Sequence, residues 1–224
     1  MAGPASGLVR LLHSLWREVI GGIIAIGIVA ALAHFSESGE LLGLGVGLLV
    51  VLGIVIWWLI RRPHKVLVYV SSGSTCRDPM AKAITDQLLN GRKPKRAVDV
   101  YAVGLVPSGK EASFAARETI KQKYGADLLK DHRPAGLTDE LVNKADLILV
   151  MDEHVIHATK NTLPENKTHL LKEFFGETGD VEDPYRAAGE RDPQTMARYE
   201  ACFNELQRII STHFETLLKA LGAL

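Results

Sequence analysis

From residue 66 onward the chain alternates short apolar runs with amphipathic stretches. "VLVYV" (66–70) is a β-branched run of strand length with no polar alternation, the pattern of a strand covered on both faces. "AVDVYAVGL" (97–105) and "ADLILVMD" (145–152) read the same way, and "HLLKEF" (169–174) predicts a fourth strand. The intervening segments carry helix signals. Asp78-Pro79 opens the first helix, with Asp78 as N-cap and Pro79 in the first helical position, and it runs to Asn90-Gly91. Residues 110–125 form a second, closed by Gly125. A short helix covers 137–144, and a long amphipathic one covers 192–221. Strands alternating with helices predict an α/β domain over 65–224, a four-stranded parallel sheet with helices on both faces. Ligands in such sheets bind at the carboxyl ends of strands, which directs attention to the loop after Val70.

The first 64 residues break this pattern. Leu41 to Ile60 is an unbroken apolar run, long enough at about 1.5 Å per residue to cross a bilayer core of about 30 Å. Trp57 and Trp58 stand near its end as interface anchors, and Arg61 and Arg62 stop it. A buried core helix is the competing reading. The segment 19–35 is shorter and contains His34; a cleaved signal peptide competes there. The connecting "HFSESGE" carries Glu37 and Glu40, whereas Arg10, Arg17, Arg61, Arg62 and Lys65 flank the pair. The positive-inside rule then gives an all-α transmembrane hairpin (spans about 19–35 and 41–60) preceding the α/β domain. Both termini and the domain lie in the cytoplasm on this reading, as an integral membrane protein whose first partner is the bilayer.

Composition narrows the functional classes. Lys and Arg total 26, balancing 26 Asp and Glu, so the basic excess of a nucleic-acid binder is missing. The two cysteines, Cys76 and Cys202, lack CxxC or Cys/His spacing, and the eight histidines show no ligand spacing. No metal and no cofactor is expected. Oligomeric state carries no signal.

Candidate chemistry concentrates in Ser71-Ser72-Gly73-Ser74-Thr75-Cys76-Arg77. A small-residue turn between a strand and a helix N-terminus lets backbone amides converge on an anion, aided by the helix dipole. Arg77 can fork two donors onto phosphate oxygens. A plain turn is the competing reading. The GxxxxGK nucleotide loop is excluded, since no Lys-Ser/Thr pair closes the turn.

The stretch from Val70 to Ala83 resembles the signature of the low-molecular-weight protein tyrosine phosphatases, V-C-x-G-N-x-C-R-S-P-M-A-E-A. "YAVGL" (101–105) resembles that family's S-A-G strand. "DHRPAGLTDELVNKADLILVMDEHV" (131–155) resembles its H-R-x-x-x-L-T-x-E-L segment, and "VEDPY" (181–185) its acid loop. The resemblance implies a phosphate cradle formed by Ser71, Ser72, Gly73, Ser74, Thr75, Cys76 and Arg77. It implies Arg77 as the clamp on the equatorial oxygens, Asp183 as the general acid, and Tyr185 as a residue lining the cleft. The family's nucleophilic cysteine position is occupied by Ser71, its loop asparagine by Ser74, and the serine after the arginine by Asp78. A serine hydroxyl needs an adjacent base, and a helix-capping Asp78 would point away from Ser71. His132, Arg133 and His154 read as surface or packing residues. The expectation is a membrane-tethered, catalytically impaired pseudophosphatase that binds phosphate or phosphotyrosine. The alternative is an active phosphatase of phosphotyrosine or other phosphomonoesters. The implied partner is a phosphorylated protein or a small phosphoester.

Overall fold

The structure, a computed structural model, describes residues 51–54, 64–92, 94–185 and 189–224. The chain divides into two units, 1–62 and 63–224; the fold described here is that of the second. Its sheet has four parallel strands: β1 (Lys65–Ser71), β2 (Val98–Gly104), β3 (Leu147–Val150) and β4 (Thr168–Leu170), in the spatial order β2-β1-β3-β4. Helices follow in the order α1 (Arg77–Gly91), α2 (Phe114–Tyr124), α3 (Asp139–Lys144), α4 (Glu153–Thr159), α5 (Leu171–Phe174), α6 (Pro193–Thr212) and α7 (Phe214–Ala220).

The unbroken apolar run of β1 serves two cores. Leu67 and Tyr69 face one side, with Met80, Ile84, Ile120, Leu206, Ile210 and Phe214. Val68 and Val70 face the other, with Val103, Ile148, Val150, Val155 and Leu163. Alternate side chains thus feed opposite layers, as the pleat requires. β1 is one of the sheet's two inner strands. Chain order reverses beside it, so the loop after Ser71 opens at a topological switch point.

Local signals set most boundaries. Ser113 caps α2 by accepting from the Ala116 amide, and Gly125 ends it in the left-handed region at φ 74°. Asp192 caps α6 on the Thr195 amide, with Pro193 opening the helix. Two boundaries differ from expectation. The apolar run at 169–174 is strand only to Leu170 and then turns helical as α5; a run of six residues cannot by periodicity distinguish the two. The C-terminal helix is divided at His213 into α6 and α7.

The fold class is corrected at its N-terminal end. The expected spans at 19–35 and 41–60 fall, apart from residues 51–54, outside the described residues. Among the described residues no helix is long and apolar enough to cross a membrane. The fold that stands is the four-stranded parallel sheet flanked by helices. The transmembrane hairpin, the bilayer as partner and the integral-membrane location are withdrawn with it.

Candidate active site

The loop 72–76 is held from behind. Its carbonyls point into the segment that follows β2: Leu105 donates its amide to Ser71 O (2.9 Å), Val106 to Ser72 O (2.8 Å), Ser108 to Gly73 O (3.0 Å) and Ser113 to Thr75 O (2.9 Å). A trans peptide aims its N–H opposite its C=O. The amides of Ser72, Gly73, Ser74 and Cys76 therefore turn to the other side, where the Ser74 amide donates to Ser71 Oγ at 3.3 Å and the others are set to form a nest for an anion. Ser74 bends the chain with φ 56°, a left-handed conformation uncommon for a residue other than glycine. The loop backs directly on the end of β2. A Cβ on Gly104 would lie 2.9 Å from the Gly73 carbonyl carbon and the Ser74 nitrogen. Gly104→Ala is therefore expected to displace the loop and lower stability by about 1–3 kcal/mol. A urea titration checks this, and an unchanged midpoint would refute the close approach.

On the open side of the loop lies a cleft of about 410 Å³, lined by Ser71, Ser72, Gly73, Thr75, Cys76, Arg77, Ser108, Gly109, Glu111, Ser113, Asp183, Tyr185 and Glu190. The structure thus brings the sequence-predicted site residues together, except that Ser74 is fully buried behind the cleft.

Arg77 is buried and turned inward. Its Nη1 donates to Asp152 Oδ2 at 2.7 Å and to Val181 O at 3.1 Å, and its Nη2 to Asp183 Oδ2 at 2.9 Å. Burial works against its charge, but the carboxylates of Asp183 and Asp152 outweigh that and raise its pKa. Its Nε is buried and has no hydrogen-bond partner among the described residues. Asp183 also receives the Tyr185 amide on Oδ1 at 3.0 Å, which folds the acid loop around it. Tyr185 stands exposed at the rim.

Asp78 departs from its expected role. The N-cap of α1 is Cys76, and no side chain caps it. Asp78 sits in the first turn, fully buried, with its carboxylate directed back under the loop. Oδ1 accepts from Ser71 Oγ at 2.6 Å and Oδ2 from Ser74 Oγ at 2.7 Å. Burial pushes its pKa up to about 7, against the lowering effect of both hydroxyls, a backbone amide and Arg77. His132 is also more than packing: its Nε2–H donates to Ser74 O at 2.8 Å and fastens the strained residue. Asp152, which sequence reasoning did not single out, caps α4 on the Val155 amide while holding Arg77. A carboxylate directly after a buried strand, level with the anion loop, was the available signal. Among the described residues Arg133 donates to the carbonyls of Lys130 and His132. Among the described residues no cluster of ligating side chains could hold a metal.

Residues 66–223 match the family described as low molecular weight phosphotyrosine protein phosphatase. The chain belongs to that family. A probable low molecular weight protein-tyrosine-phosphatase, EpsP of Ralstonia solanacearum, is 36% identical over 159 residues, covering 70% of this chain and 99% of the relative. The crystal structure of the low molecular weight protein tyrosine phosphatase from T. tengcongensis superposes with a TM-score of 0.59 at 32% identity, covering 68% of this chain and 99% of the other. The YwlE arginine phosphatase, in a cysteine-to-serine mutant whose active-site serine is phosphorylated, gives 0.57 at 29% identity, covering 69% and 95%.

These findings correct the functional expectation. A cysteine is present in the phosphatase loop: Cys76 lines the cleft immediately before Arg77, with Sγ 4.0 Å from Asp183 Oδ1. The site is therefore not one without a thiol, and the reading of a catalytically impaired binding module gives way to a phosphatase-family hydrolase domain. Burial first, and then Asp183, push the Cys76 thiol up to about 12, with Arg77 pulling the other way. Cys202, within α6, is buried and likewise raised by burial.

Proposed function

We propose that the domain is an active phosphatase that hydrolyses phosphomonoesters, with phosphotyrosine on proteins as its substrate class. The observation that carries this reading is the Nε of Arg77, a buried donor without a partner among the described residues, on a residue that lines the cleft beside the anion loop. A buried guanidinium donor left unpaired is unfavourable, and a tetrahedral dianion seated in the nest would satisfy it. Binding there brings the phosphoryl group against the loop side chains that line the cleft, among them the Ser71 hydroxyl and the Cys76 thiol. Arg77 and the amides would stabilise charge on the equatorial oxygens as it develops. Asp183, which lines the same cleft, would protonate the leaving oxygen. Tyr185 at the rim suits an aromatic leaving group. The phosphorylated active-site serine of the YwlE mutant supports a hydroxyl as phosphoryl acceptor in this fold.

The test is turnover of aryl phosphates by the full chain. Phenyl phosphate releases a basic phenolate and needs the acid; p-nitrophenyl phosphate releases a weak base and needs it less. Asp183→Asn is expected to lower kcat on phenyl phosphate by about 10²–10⁴ and on p-nitrophenyl phosphate by clearly less. Equal losses on the two esters would remove Asp183 from the role. Absence of turnover on both by the unaltered chain would end the proposal.

A further inference from the structure

Beneath the anion loop runs a chain of short hydrogen bonds that converges on Asp78. Ser71 Oγ donates to Asp78 Oδ1 at 2.6 Å, and Ser74 Oγ holds the other carboxylate oxygen at 2.7 Å. Ser74 is in turn fixed by His132 through its carbonyl at 2.8 Å. Ser71, Ser74 and Asp78 are all buried. A hydroxyl facing a carboxylate at this distance, with that carboxylate oriented by a third group, is the arrangement of an activated oxygen nucleophile. We propose that Asp78 is the general base that makes Ser71 the phosphoryl acceptor of this site, an inference that rests on the phosphatase reading above.

The two loop nucleophiles are not equivalent. Cys76 has its nearest bonded carboxylate at 4.0 Å, and that is Asp183, whose task is the leaving group. Its thiol is held up to about 12, so little thiolate exists near neutral pH. Ser71 has a carboxylate in direct contact, and burial sets that carboxylate near 7, where a general base works best at neutral pH. The groups facing Asp78 are Arg77 and Cys76 at the start of α1 and, through Ser74, His132. Burial lowers the pKa of His132, so near neutral pH its ring is an uncharged donor.

The chemistry closes without a further reactant. Ser71 Oγ attacks phosphorus as its proton passes to Asp78. The bond from phosphorus to the ester oxygen breaks, and that oxygen takes the proton of Asp183. Water then attacks the Ser71 phosphoester and gives a proton to the Asp183 carboxylate. Ser71 Oγ departs and recovers its proton from Asp78. The sum is hydrolysis of one phosphomonoester, with both carboxyl groups restored.

The experiment is to mix the full chain with p-nitrophenyl phosphate, quench in denaturant during turnover, and map the phosphoryl group by mass spectrometry. The expected position is Ser71. Asp78→Asn is expected to lower the rate of labelling by at least about 10²-fold and to abolish the rise of kcat/KM through pH 7. Asp78→Ser serves as a second variant should the Asn protein fold poorly, and phosphate-dependent thermal stabilisation certifies an intact cradle in each. A label on Cys76, turnover with no label on Ser71, or an unchanged pH profile in both variants overturns this inference and leaves the phosphatase reading standing. Absence of turnover in the unaltered chain overturns both.

Discussion

Arg77→Ala is expected to abolish phosphate binding and reduce turnover by at least about 10²–10³-fold, the loss seen when one oriented donor to a developing oxyanion is removed. The argument is geometric. Among the described residues that line the cleft, Arg77 is the cation, and three acidic side chains, Glu111, Asp183 and Glu190, stand around the same opening. Without the guanidinium the cleft would repel a dianion. Stability should fall as well, because Asp152 is left buried without its charged partner, a change that costs about 3–5 kcal/mol where an ion pair is broken on one side. Arg77→Lys separates the two effects: it restores a charge beside Asp152 but cannot fork onto two phosphate oxygens. The measurement is thermal unfolding with and without inorganic phosphate. The unaltered chain should gain about 2.7 kcal/mol at a hundred times its dissociation constant, the alanine variant nothing, and the lysine variant a part. Phosphate stabilisation that survives in the alanine variant would place the anion elsewhere.

The same residues show where sequence reasoning succeeds and where it stops. β1 and the anion loop were legible because their signals are local: a β-branched run, a small-residue turn, an arginine at a helix start. The pairing of Arg77 with Asp152 and Asp183 carries no such local signal. Asp78 was misread for the same reason. Asp-Pro before a helix is a capping signal on local evidence, and only the folded chain shows that Cys76 occupies the cap position while the carboxylate turns under the loop to Ser71 and Ser74. His132 and Asp152 lie 58 and 75 residues from the groups they hold, and no periodicity or spacing encodes a pairing at that distance. Gly104 is a further case. Its need for an absent Cβ arises from the backbone of another strand's loop, and in the sequence it reads as one more residue of the predicted strand 97–105.

Asp78 also makes a prediction about stability that does not depend on catalysis. Its carboxyl titrates from an ordinary 3.8 to about 7 in the folded chain, chiefly because burial disfavours the charged form. Below pH 4 both folded and unfolded chains hold the proton, and the group is neutral in its effect. Between about 4 and 7 the unfolded chain releases the proton and the folded chain keeps it. Stability therefore falls as pH rises through this window, and above 7 the folded state carries the full cost of a buried carboxylate, about 4 kcal/mol. Asp78→Asn keeps the shape and removes the titration. The variant should match or trail the unaltered chain near pH 4 and become the more stable protein by pH 8, the difference growing by a few kcal/mol between them. Denaturant titrations of both proteins across that range check it. A difference that stays flat with pH would show that Asp78 ionises freely in the folded chain, and would remove the neutral-range base on which attack by Ser71 depends.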